Sequence, residues 1–245
     1  MEIFKAKNGI LIEFNSSNTK LINNIISFTK DFPFIVGYKI NTESIILCGL
    51  ESIVQLIKEK TSLPLIYDHK GYGTDNLEIS GEGMIEKIKK VGVDAIVILP
   101  LAGSETLKRI IKICDKFGLL AIIRGDLPDK GYFSDEGGYI GSDSQQKIYI
   151  DAASLGASYF LMSCNRLERI KIYCHQLGSI VGKLNIFLTA INSIECTNLP
   201  DACSQIKQNN VYAVFEKEFE NPTEYVNLLK TFWESFQNKL ELIKK

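Results

Sequence analysis

The sequence predicts a closed (β/α)8 barrel, and three observations carry that reading. The length is 245 residues, close to the typical size of one such barrel. The hydrophobic period changes repeatedly along the chain, from short β-rich apolar runs to longer amphipathic stretches, the pattern of βα units. Eight such units can be counted, at roughly 30 residues each. No Pro/Ser-rich linker or low-complexity break separates them, so residues 1–245 are expected to form a single barrel domain. A doubly wound open sheet is the competing architecture, but it normally carries a glycine-rich fingerprint after its first strand, where this chain has Asn15-Ser16-Ser17-Asn18.

Taken in order, the strand candidates are Ile10 to Phe14, Phe34 to Ile40, Pro64 to His69, Asp94 to Leu99, Leu119 to Arg124, Ser158 to Ser163, Leu184 to Thr189 and Val211 to Phe215. Each is an apolar run rich in β-branched or aromatic residues. Between them, helical periodicity covers Glu43 to Lys60, Gly81 to Val91, Ser104 to Phe117 and Gln145 to Leu155. Gly92, Gly118 and Gly156 stand just before strands, where a left-handed residue ends a helix without a Cβ clash. The last helix, Pro222 to Leu242, opens on Asn221-Pro222, a cap followed by a first-turn proline. Its stripe of Tyr225, Leu228, Leu229, Phe232, Trp233 and Phe236 is expected to pack on the sheet.

Composition narrows the function classes. With 28 Lys and Arg against 29 Asp and Glu, the net charge is -1, and no long basic run offers the footprint of a nucleic-acid binder. The start, MEIFKAKNGILIEF, lacks a signal-peptide core, and no apolar stretch reaches membrane-spanning length, so a cytoplasmic protein without membrane association is expected. Six cysteines and two histidines show no Cys-x-x-Cys pair. Neither a structural zinc nor another metal is expected, and the thiols read as small buried hydrophobes. Arg124-Gly125-Asp126 spells an adhesion tripeptide, read as coincidence in a chain that is not secreted.

In a barrel, chemistry sits at the C-terminal ends of the strands, so charges there are informative. The second strand carries Lys39 inside an apolar run. The third reads Leu65-Ile66-Tyr67-Asp68-His69-Lys70 and leads into the turn Gly71-Tyr72-Gly73-Thr74-Asp75. Asp68 and Lys70 are two apart and share a face, and Lys39 arrives from the neighbouring strand at comparable height. An alternating Lys, Asp, Lys cluster follows. It could set a carboxylate against one part of a substrate while an ammonium offers a proton to another. The alternative use of the same residues is a salt bridge that only closes the barrel rim.

The run GYKINTESIILCGLESIVQLIKEKTSLPLIYDHKGYGTD resembles the orotidine 5′-phosphate decarboxylase superfamily, in which a Lys on the second strand precedes Asp-x-Lys and a further Asp. DAIVILPLAGSETLKRIIKIC and EGGYIGSDSQQKIYIDAASLGASYFLMSCNRLERI are similar to that family's fourth unit and to the segment leading through its sixth strand. The resemblance implies a cofactor-free carboxy-lyase of pyrimidine biosynthesis that converts orotidine 5′-phosphate (OMP) to uridine 5′-phosphate (UMP). It also implies a homodimer. Asp68 would press on the substrate carboxylate, Lys70 would protonate C6, Lys39 would orient Asp68 and contact the ribose, and Asp75 would reach the partner's site.

Departures from the family pattern are as informative. The turn from Lys70 to Asp75 is two residues longer than usual, and Asn15 stands where a ribose-binding Asp is common. Glu216 occupies the expected position of a phosphate-binding Arg, which leaves Lys217, Asn192, Ser193 and nearby backbone amides as candidates for the phosphate, with Thr74 and Asn15 as further substrate contacts. A sugar-phosphate lyase of the same superfamily would place an acidic metal ligand at Lys39, and an ammonium cannot ligate. A silent homologue that binds a nucleotide or a protein is the non-enzymatic alternative, motivated by Glu216.

Overall fold

A computed structural model describes residues 2–46, 48–69, 71–74, 81–189, 209–216 and 221–242. Eight parallel strands close into a barrel in sequence order: β1 (Asn8–Phe14), β2 (Ile35–Asn41), β3 (Leu65–Asp68), β4 (Ala95–Ile98), β5 (Leu120–Arg124), β6 (Tyr159–Ser163), β7 (Asn185–Thr189) and β8 (Asn210–Phe215). β8 returns to β1, pairing Asn8 with Val211 and Ile12 with Phe215. Closure leaves no sheet edge to protect. The described helices are α1 (Thr19–Thr29), α2 (Thr42–Ile46), α3 (Leu50–Lys58), α4 (Gly81–Lys90), α5 (Ser104–Phe117), α6 (Ser144–Ser154), α7 (Leu167–Val181) and α8 (Pro222–Leu242). The (β/α)8 architecture expected from the hydrophobic period is the one observed.

The helix expected over Glu43 to Lys60 is divided in the structure. Gly49 sits between α2 and α3 with φ of 77°, a conformation that costs a glycine little and interrupts the helical path. The helix stops fall as the glycines require. Gly118 adopts the left-handed conformation after α5 and donates to the carbonyls of Asp115 and Cys114. At the start of α8, the Asn221 side chain accepts from the backbone N–H groups of Thr223 and Glu224, so the expected cap is formed. Tyr225, Leu229 and Phe236 are buried, and Trp233 stacks on Phe34 with ring centroids 5.3 Å apart. The aromatic stripe is packing, as its spacing indicated.

Alternation along the strands sorts their side chains into two cores. One set, including Ile12, Tyr38, Tyr67, Ile96, Ile123 and Phe160, faces the helices. The other set fills the barrel interior, with Leu11, Ile66, Val97, Ile122, Leu161 and Val214 among its members. Cys114, Cys164 and Cys174 belong to the helix-facing core, and burial pushes the Cys114 thiol up to about 12, the environment of an inert packing residue.

Apart from Asn185 and Asn210, whose side chains hydrogen-bond each other at 2.7 Å, the interior is apolar toward the N-terminal ends of the strands. There Phe4, from the segment before β1, packs against Tyr159, Phe187 and Tyr212, with centroid separations of 6.2, 5.3 and 5.1 Å. Phe4 is 2% exposed and acts as a plug. Continuing along the same interior faces toward the C-terminal ends, the side chains become charged: Glu13 follows Leu11, Asp68 follows Ile66, and Arg124 follows Ile122. Phe4→Ala is expected to destabilise the protein by about 3–5 kcal/mol through the cavity it leaves beneath the barrel. Urea denaturation measures this, and a loss below about 1 kcal/mol would show that the segment before β1 does not close the barrel.

Candidate active site at the C-terminal mouth

Register explains why the mouth is charged. Glu13 and Lys39 are direct partners on β1 and β2, and Asn41 pairs with Asp68 across β2 and β3. Lys39 stands one inward-facing position below Asp68, so its long side chain rises toward the mouth and meets that carboxylate. The Lys39 Nζ lies 2.8 Å from Asp68 Oδ2 and 2.7 Å from Glu13 Oε2. Lys39 is 1% exposed, Asp68 0% and Glu13 4%. Burial pulls the Lys39 ammonium down, but Asp68 and Glu13 together outweigh burial and hold it above the ordinary lysine value. Lys39 is thus a permanent cation at physiological pH.

The cluster extends in both directions. Arg124 at the end of β5 places Nη1 3.3 Å from Asp68 Oδ2. On the other side, Asn41 Nδ2 donates to Glu13 Oε1 at 3.2 Å and also to the side chain of Asn15. The half-buried Asn15 in turn donates to the Glu216 backbone carbonyl at 3.3 Å, which ties the ends of β1 and β8 together. Thr74 is exposed and donates its hydroxyl to the Gly71 carbonyl at 2.7 Å within its own turn. That turn lies along the end of β4, where Leu99 N donates to Tyr72 O and Ala102 N to Gly73 O. Lys70, Asp75, Asn192, Ser193 and Lys217 lie outside the described residues.

A second charged group lies beyond β5. Arg166, just before α7, donates to Asp126 Oδ2 at 3.0 Å, to the carbonyls of Leu127 and Asp129 at 2.9 and 3.1 Å, and to both oxygens of Glu136. Its guanidinium also stacks on Phe133, which Arg169 approaches as well. These contacts fasten the long β5–α6 connection over one side of the mouth. Arg124 and Asp126 are 7% and 2% exposed. The adhesion-like tripeptide is therefore an interior strand end rather than an accessible loop. Burial raises the Asp126 carboxyl to about 6, against the opposing pull of Arg166 first and Arg124 second. Gln145 and Arg166 hydrogen-bond it, and Tyr132, Tyr149 and Tyr173 lie within reach of its charge.

Sequence reasoning found Lys39 and Asp68 but passed over Glu13, Arg124, Asp126 and Arg166. For Glu13 and Arg124 the signal was available: each is a charge ending an apolar strand, in phase with the residues that fill the barrel. Arg166 gave no such signal, because its partners come from a connection whose path the periodicity does not describe. Among the described residues no group of three His, Cys, Asp or Glu side chains could hold a metal ion, and no helix is long and apolar enough to cross a membrane.

No protein-family model matches the chain, and no curated protein matches it. Solved structures do. The orotidine 5′-monophosphate decarboxylase of Methanocaldococcus jannaschii, complexed with inhibitor BMP, superposes with a TM-score of 0.72 at 16% identity, over 93% of this chain and 97% of that one. The orotidine 5′-phosphate decarboxylase of Pyrococcus horikoshii OT3 gives 0.68 at 16% identity, covering 90% and 96%. An uncharacterized conserved protein from Geobacillus kaustophilus gives 0.65 at 15%, covering 91% and 99%. The fold is therefore a barrel like that of the orotidine 5′-phosphate decarboxylases, at 16% sequence identity to them.

Two consequences of this geometry can be measured. Glu13→Gln removes one of the two carboxylates on a buried ammonium, and a loss of about 1.5–3 kcal/mol in unfolding free energy is expected. An unchanged denaturation midpoint would show that Asp68 alone satisfies Lys39. The second concerns pH. A folded pKa raised from 3.8 to about 6 means that the Asp126 contribution is fully present below about pH 4 and is lost as pH rises through about 6. At about 1.36 kcal/mol per pH unit the change is about 3 kcal/mol. Asp126→Asn, neutral throughout, is expected to gain on the unmodified protein by that order between pH 4 and pH 7 in parallel melts. A constant difference would place the Asp126 pKa near its unfolded value.

Proposed function

We propose that this chain is an orotidine 5′-phosphate decarboxylase of divergent type, a cytoplasmic, cofactor-free carboxy-lyase acting as a homodimer. The observation that carries the reading is the buried Lys39–Asp68 ion pair on adjacent strands at the C-terminal mouth. It is supported by the likeness to decarboxylase structures over nine-tenths of the chain.

Asp68 is held in place by Lys39 on one side and Arg124 on the other, and it meets the substrate carboxylate with a fixed negative charge. The bond from C6 to the carboxylate breaks, carbon dioxide leaves, and the electron pair stays on C6. Lys70, two residues beyond Asp68, stabilises that charge and delivers the proton that yields UMP. An ammonium placed where charge accumulates favours the transition state over the ground state. Lys39 keeps Asp68 oriented and contacts the ribose, and Asp75 reaches the partner's site. Glu13 gives Lys39 a second carboxylate from within the same chain, which lessens the dependence of the array on Asp75. Asn15 and Thr74 contact the substrate, and Lys217, Asn192, Ser193 and backbone amides near them hold its phosphate in place of an Arg at position 216.

Ultraviolet monitoring of OMP with purified protein is expected to show turnover, and UMP is expected to raise the melting temperature. Lys70→Ala should abolish turnover while changing UMP affinity far less, because a proton donor acts mainly in the transition state. Near-normal turnover in that variant would assign the proton to another group. If the unmodified protein neither turns over OMP nor responds to UMP, the decarboxylase reading falls, and a barrel kept as a binding protein takes its place.

A further inference from the structure

We propose that Tyr67 and His69 form a positioning pair that fixes the backbone from which Lys70 is presented to the substrate. The inference deepens the decarboxylase reading above and rests on it. Its starting point is the shortness of β3. The ladder to β2 ends where Asn41 pairs with Asp68, and the ladder to β4 ends where Asp68 pairs with Val97. Backbone pairing therefore fixes the carboxylate, but Lys70 comes two residues later in the chain, past the last ladder position. A proton donor needs a defined place, since a displacement of about 1 Å can cost on the order of a hundredfold in rate. Beyond Asp68 that definition has to come from side chains.

His69 is held at both its side chain and its backbone. Tyr67 is buried in the helix-facing core, and side chains two apart on an extended chain share a face. The Tyr67 hydroxyl accordingly meets Nδ1 of the half-buried His69, with ring centroids 5.6 Å apart. In the tautomer that carries its proton on Nε2, the hydroxyl donates to Nδ1. The Tyr72 ring stands edge-on to the same imidazole at 6.4 Å. The His69 carbonyl accepts from the Thr42 hydroxyl at 3.2 Å and from Gly71 N–H at 2.7 Å. A His69 turned toward the helices leaves Asp68 facing the barrel interior, and the same alternation gives that face to position 70.

The chain is fixed on the far side of position 70 as well. Tyr72 O accepts from Leu99 N at 2.9 Å, Gly73 O accepts from Ala102 N at 3.0 Å, and the Tyr72 hydroxyl donates to Gly81 O at 3.2 Å. Gly73 has φ of 101°, and a Cβ there would lie 2.9 Å from the Leu99 carbonyl oxygen, so the turn sits directly against the end of β4. The fold does not itself need a polar pair at 67 and 69. Two apolar rings of similar size would pack in the same surroundings, and replacing both partners of a hydrogen bond by apolar groups is often nearly neutral. The pair is thus separable from folding, and its effect is to be sought in turnover.

Steady-state turnover of OMP by Tyr67→Phe, His69→Phe, the double variant and His69→Asn tests the pair, with UMP titration as the measure of an intact site. Each Phe variant is expected to lower kcat about tenfold to a hundredfold, while KM and UMP affinity change by less than about threefold. The double variant should be no slower than the slower single one, because the two side chains act as a unit. His69→Asn offers an amide oxygen to the Tyr67 hydroxyl and should recover kcat to within about threefold of the unmodified protein. A merely structural role would weaken UMP binding and turnover together, which would overturn the inference. Unchanged kcat in both single variants would also overturn it, as would losses that multiply independently in the double variant; in each case the decarboxylase reading stands. Absence of turnover in the unmodified protein would overturn both.

Discussion

The Lys39 ammonium lies in the barrel interior at the C-terminal end, between Glu13 of β1 and Asp68 of β3, and almost no water reaches it. An isolated charge in that position would be prohibitive, and a pair is tolerable only when its geometry is good and its remaining hydrogen-bonding capacity is met. Much of the mouth can be understood as meeting that condition. Asn41 holds Glu13, Arg124 shares Asp68, and Asn15 links Asn41 to the end of β8. Four strands, β1, β2, β3 and β5, are joined by side chains as well as by their backbone ladders. Such an array has little freedom to rearrange when a ligand enters, which is the condition for electrostatic preorganisation.

The division of the interior into an apolar lower part and a charged upper part gives each end one task. Below, Phe4 and the aromatic residues of β6, β7 and β8 exclude water and contribute hydrophobic stabilisation. Above, charges that add little to stability are held by that packing. Replacing them with apolar residues of similar volume would often be neutral or stabilising in such a setting. The packing of the barrel does not by itself require them at these strand ends.

The β5–α6 connection shows how one residue can fix a long loop. Arg166 reaches it at four points and lies on the Phe133 ring, so the segment after β5 follows the rim of the barrel. This fastening also keeps Asp126 buried at the mouth, which is why its carboxyl sits high for an acid that has an arginine partner. One side of the mouth is thus set by Arg166, a residue far from β5 in sequence.

What the sequence alone determined is local and periodic. Alternating apolar runs gave the eight strands, glycines gave the helix stops, Asn221-Pro222 gave the start of the last helix, and Lys39 with Asp68 could be placed on one face of adjacent strands because side-chain direction follows from spacing. The limits of that reasoning are visible in particular residues. Gly49 interrupts what the periodicity read as one helix, because a period describes which face is buried and not whether the backbone continues. Arg166 meets Asp126 across 40 residues of sequence, and the Tyr132 hydroxyl is buried without a hydrogen-bond partner among the described residues. Only tertiary structure could decide these points, because barrel closure and the path of a loop bring together groups whose proximity no local pattern encodes.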